Sequence, residues 1–179
     1  GVLQQITGIN AVYFYATSIF KQTGIAFTDV IANLVDGGST VVDSQGRVLL
    51  GGRTSDDTLV VARFLPNGIL DSAFNGTGIA ATPAMTGLLS GDFVTVDNNN
   101  NVYVGGLVAD TFVIARFLAI DGSLDTQGFN ANGISDLEIP GIAQSEQISN
   151  LNNGGYLSID SSGNVVVGGS TSDNQLAVV

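Results

Sequence analysis

The chain contains no cysteine and no histidine. Without cysteine there is neither a disulfide framework nor a thiolate metal site, and thiols give no reading of redox compartment. Without histidine the commonest zinc ligand and the usual general base are both missing. Basic residues are scarce: five Lys and Arg stand against sixteen Asp and Glu, a formal net charge of −11. Such a chain repels a phosphate backbone instead of releasing its counterions, which argues against nucleic acid as a partner. After Phe27 no uncharged stretch reaches the roughly 20 apolar residues of a membrane span. The start shows no basic region followed by a short apolar run and a small-residue cleavage site, so no signal peptide is expected there.

What is present reads as a folded β domain. Of 179 residues, 44 % are hydrophobic and only 12 % charged, enough to bury a core. Twenty-four glycines, few prolines and many Asn, Asp, Ser and Thr residues separate short Val/Ile/Leu runs. That composition favours many strands joined by tight turns and predicts an all-β fold.

The chain repeats itself. TVVDSQGRVLLGG ends at Gly52, VTVDNNNNVYVGG at Gly106 and LSIDSSGNVVVGG at Gly169. In each copy an aspartate (Asp43, Asp97, Asp160) stands eight residues before the first glycine of the pair (Gly51, Gly105, Gly168). The element is a strand, a tight turn and a second strand. Beyond the pair the first two copies share Ala-Arg-Phe-Leu (62–65 and 115–118), Gly-x-Leu-Asp (68–71 and 122–125) and Phe-Asn-x-x-Gly-Ile (74–79 and 129–134). The period is 53 to 55 residues, lengthening to 63 between the second and third glycine pairs. The extra residues are expected in the polar stretch 144–155. Each period holds about four strand-length runs, which predicts four-stranded antiparallel blades of a propeller-like repeat. About three blades, over 28–82, 83–139 and 140–179, follow a first segment, 1–27, and do not make a closed ring. The third copy stops where Ala-Arg-Phe comes next in the others, which reads as a fragment boundary or a strand completed from elsewhere. A homodimer of two such chains would close one ring.

ARFLAIDGSLDTQGFNANGI at 115–134 carries the frame most fully. It resembles the delta-60 repeat of bacterial surface and secreted proteins, and the resemblance covers about residues 28–179. It implies a propeller-like blade and an extracellular or cell-surface location.

The opening differs. QQITGINAVYFYATSIF, at 4–20, resembles the seventh transmembrane helix of the sugar-transporter branch of the major facilitator superfamily. The resemblance implies that Gln4, Gln5 and Asn10 would hydrogen-bond sugar hydroxyls and that Phe14 and Tyr15 would sit at an outer gate. On a helix the three amides project within about one face and pair donors with acceptors. A membrane partner is expected only if 1–25 form such a helix. A second reading competes, because Phe20 to Ile25 falls 54 residues before Phe74 to Ile79. In that phase the segment is the last strand of a half-blade.

The remaining candidates each have a bland alternative. Asp43, Asp97 and Asp160 open oxygen-rich turns that would suit calcium, yet Asp at the first position of a β-turn needs no ion, and no cofactor is otherwise implied. Arg63 and Arg116 would hold an acidic ligand, or pair structurally with Asp71 and Asp125 of their own repeats. Asp56 and Asp57 are adjacent, and nothing places two carboxylates across a scissile bond. The expectation is a non-enzymatic module of a surface or secreted bacterial protein. It presents loops, notably 97–101 and 145–155, to a protein or glycan. The alternatives are a transporter fragment joined to repeat sequence, and part of a propeller hydrolase or lyase.

Overall fold

A computed structural model of the chain describes residues 38–130 and 139–178. The described residues form eleven strands and contain no helix. β1 (Ser39–Val42), β2 (Val48–Arg53), β3 (Leu59–Phe64) and β4 (Ile79–Ala81) make one antiparallel sheet in chain order. β5 (Leu88–Val96), β6 (Val102–Val108), β7 (Thr111–Phe117) and β8 (Ile142–Gln144) repeat it. β9 (Leu151–Ile159), β10 (Val165–Thr171) and β11 (Leu176–Val178) form a third sheet of three strands. These are propeller-like blades that do not close into a ring.

Strand alternation assigns one apolar set to each face. Val102 and Val104 of β6, with Val113, Ala115 and Phe117 of β7, meet Leu49, Leu59 and Val61 of the first sheet. Their neighbours Tyr103, Leu107, Phe112 and Ile114 point the other way and meet Leu151, Leu157, Val167 and Ala177 of the third. The middle sheet is thus buried on both faces, which is why its strands read as continuous apolar runs. Burying one such Phe or Leu contributes about 1.5–3 kcal/mol.

The glycine pairs set how closely the sheets approach. A Cβ at Gly51 would stand 2.7 Å from Val94 Cβ of the next sheet, and one at Gly154 would overlap the Phe93 ring. A side chain at either place would push two sheets apart.

The pairing corrects two expectations from the repeat. Gly141-Ile142 takes the place of Gly78-Ile79, and Gly133-Ile134, expected there, lies outside the described residues. Arg63 N donates to Gly78 O and Arg116 N to Gly141 O, and Ala62 pairs with Ile79 as Ala115 pairs with Ile142. Phe74 and Gly78 are four positions apart, Phe129 and Gly141 twelve. The extra residues therefore fall between Phe129 and Gly141, not within 144–155. From Ile142 to Leu151 the spacing equals that from Ile79 to Leu88. The second sheet accordingly runs to Gln144, past the boundary expected at 139, and Leu151 to Gly155 are strand, leaving a shorter connection.

Candidate functional site

The three repeated aspartates build one turn three times. Asp43 N donates to Arg47 O, Asp97 N to Asn101 O and Asp160 N to Asn164 O. Each Oδ1 accepts two backbone N–H groups: Gln45 and Arg47 at 2.9 Å, Asn99 and Asn101 at 2.9 Å, Ser162 and Asn164 at 2.8 Å. Each Oδ2 takes the side chain four residues on, from Arg47 Nε, Asn101 Nδ2 or Asn164 Nδ2. The fourth residue of each turn is Gly46, Asn100 or Gly163, at φ of 75°, 62° and 84°. That left-handed position suits Gly or Asn.

These bonds set the ionisation. Burial pushes the Asp43 carboxyl up, but the hydrogen bonds from Arg47 and Gln45 and the Arg47 charge together hold it below its ordinary value. The Asn164 side chain and backbone N–H do the same for the exposed Asp160. Both carboxylate oxygens are thus committed within the turn, and among the described residues no three acidic groups converge on a common point.

The repeated arginines pair with the repeat's own aspartates. Arg63 is 1 % exposed. Its Nε donates to Asp71 Oδ2 at 2.8 Å, its Nη1 reaches Ala119 O of the next sheet's loop at 2.6 Å, and Cζ lies 4.4 Å from the centre of the Phe74 ring. Arg116 pairs with Asp125 Oδ2 through Nε and Nη2, donates to Tyr103 Oη at 3.1 Å and lies 5.1 Å from the Phe129 ring centre. Burial pushes the Arg63 guanidinium down, while Tyr103 and Asp125 outweigh burial and raise that of Arg116. Burial likewise raises the Asp125 carboxyl, and the Gly128 N–H and Arg116 together overcome it and hold it below its ordinary value. The repeated Arg, Asp and Phe form one cluster in each of the first two sheets, with Phe as the platform that the spacing alone did not assign.

Asp57 sits at φ 58° in the turn between β2 and β3. Its carboxylate pairs with Arg53 at 3.2 Å, and its carbonyl accepts Met85 N of the connection to the second sheet. Asp56 is exposed. Asp110 repeats the anchoring, its carbonyl accepting Ile148 N.

Antiparallel order fixes which loops share an end. The three Asp turns lie at one end of the strands, with the connections from β3 to β4 and from β7 to β8. There Ser44 and Asn100 join two turns, Asn100 Nδ2 donating to Ser44 Oγ at 2.8 Å. The connection 145–150 lies at the opposite end. The two loops expected to form a contact surface, 97–101 and 145–155, are therefore not on one surface. Gln4, Gln5, Asn10, Phe14 and Tyr15 lie outside the described residues.

No helix of the described residues is long and apolar enough to cross a membrane. Residues 1–50 are similar to the family described as Sugar (and other) transporter. No curated protein matches the chain. That similarity spans 50 of 179 residues. Its described part, from residue 38 onward, contains β1, the Asp43 turn and the start of β2.

Proposed function

We propose that the chain is a non-enzymatic array of delta-60-type repeats from a surface or secreted bacterial protein, and that it presents its loops to a protein or glycan partner. One observation carries the reading: three equivalent turns stand at one end of successive sheets, with their aspartates turned into the turn and their tips exposed. The tips, among them Gln45, Asn98, Asn99 and Ser162, are amides and hydroxyls without charge. Such groups donate and accept in pairs and suit hydroxyl-rich or backbone partners. The charges written into the repeat, Arg63 with Asp71 and Arg116 with Asp125, are paired internally and lie apart from these tips.

A glycan array and a panel of immobilised surface proteins test this. A binder found there should lose at least tenfold affinity for a chain carrying Gln45→Ala, Asn99→Ala and Ser162→Ala. Asp56→Ala with Ser172→Ala, at the opposite end, should leave it unchanged. Equal loss from both sets, or no binder in either panel, would overturn the proposal.

The similarity of residues 1–50 favours a second reading, in which the first segment derives from a transporter and Gln4, Gln5, Asn10 and Tyr15 contact sugar. Co-flotation of the whole chain with lipid vesicles supports that reading, and a chain left entirely in the aqueous fraction removes it.

A further inference from the structure

The third sheet repeats a packing face for which the described residues supply no neighbour. Ser39 pairs with Gly51, Phe93 with Gly105 and Tyr156 with Gly168, so these three residues occupy one register position. Phe93 is 5 % exposed, because its ring lies on the bare backbone of Gly154 in the next sheet. Tyr156, at the same place, is 57 % exposed. Beside it Gly155, Val166, Gly168, Ser170 and Val178 line an open groove of about 470 Å³. No charged side chain lines it, in a chain of net charge −11.

We infer that this groove is a self-association face, and that its occupant is the same face of a second copy of the chain. Three observations select that occupant. The groove continues the series of sheet-to-sheet interfaces already present twice, so its shape fits a twisted sheet bearing an aromatic ring. A head-to-tail contact would need the opposite face of the first sheet, where Leu50, Ala62 and Phe64 are already buried. Two strongly acidic copies meet at least cost where neither presents charge. An isologous contact satisfies all three, each Tyr156 ring resting on the glycine floor of the other copy. Nine residues line the groove, fewer than the roughly 20–30 a side of a standard interface. The dimer is therefore concentration-dependent.

Sedimentation velocity across about two decades of concentration, spanning the micromolar affinities usual for small interfaces, tests this. The mass should rise from 18.3 kDa toward twice that value. Tyr156→Asp should remain monomeric throughout with an unchanged circular dichroism spectrum and melting temperature, because the residue is exposed in the monomer. Val42→Asp, on the opposite face of the first sheet, should still dimerise. With no native cysteine, Ser170→Cys should give a covalent dimer on mild oxidation. A monomer at every concentration, a Tyr156→Asp chain that still dimerises, or a Val42→Asp chain that does not, would each overturn the inference. Failure here leaves the turn-tip proposal standing, since its variants lie at the strand ends.

Discussion

At the scale of single residues, the repeat's most costly component is the buried guanidinium of Arg63. Its side chain is 2 % exposed against 18 % for Arg116, and each pairs with the aspartate of its own repeat. Removing the partner of a buried charge leaves it uncompensated, whereas a part-exposed one regains water. Asp71→Ala should therefore cost about 3–5 kcal/mol, and Asp125→Ala about 1.5–3 kcal/mol. Urea denaturation of the two variants measures the difference, and equal losses would contradict it. The pairing itself was legible in the sequence, because Ala-Arg-Phe-Leu followed by Gly-x-Leu-Asp recurs in both copies. The Phe74 and Phe129 platforms were not, since an aromatic in a repeat reads equally as plain core.

At the scale of elements, sheet spacing rests on residues that lack a side chain. Gly154 and Gly155 are adjacent in β9, yet a Cβ at the first would overlap Phe93 while one at the second meets nothing within 4 Å. Gly154→Ala should destabilise by about 1–3 kcal/mol through overpacking, and Gly155→Ala should stay within about 0.5 kcal/mol. Thermal melts of the pair check this, and similar melting temperatures would show that the sheets can separate freely. Strand positions were legible because the turn aspartate and the following Gly or Asn mark each hairpin. The register of the last strand in the second sheet was not. Gly-Ile occurs twice there, at 133–134 and 141–142, and a short motif cannot choose between them. The backbone bond from Arg116 to Gly141 does. The start of β9 was hidden for a related reason: Asn152 to Gly155 are turn formers by propensity, held in a strand by pairing with β10.

At the scale of the whole molecule, two effects of acid oppose each other. Protonation lowers the net charge of −11 and relieves self-repulsion, which stabilises the fold. It also removes the carboxylates of Asp43, Asp125 and Asp160, which the folded state holds below their ordinary values. For these groups the unfolded chain takes up protons first as pH falls. Their contribution is complete above the ordinary carboxylate range, about 4, and is lost as pH falls through the lower folded values. The repulsion acts over distances comparable with the Debye length, about 8 Å at 0.15 M salt, and is largely screened. The turn bonds act at 2.8–2.9 Å and are not. Loss of the bonds to Asp43, Asp125 and Asp160 therefore dominates at physiological ionic strength. With no histidine, no side chain of ordinary pKa titrates between about pH 5 and 8. The melting temperature at 0.15 M salt should be flat across that window and should fall below about pH 4, and Asp125→Asn should flatten the acid limb while lowering the plateau. At pH 7, salt added to a dilute buffer should raise the melting temperature by screening the excess acidic charge. A melting temperature that climbs on acidification at 0.15 M salt would mean that long-range repulsion, and not the bonded carboxylates of Asp43, Asp125 and Asp160, governs the acid response of this fold.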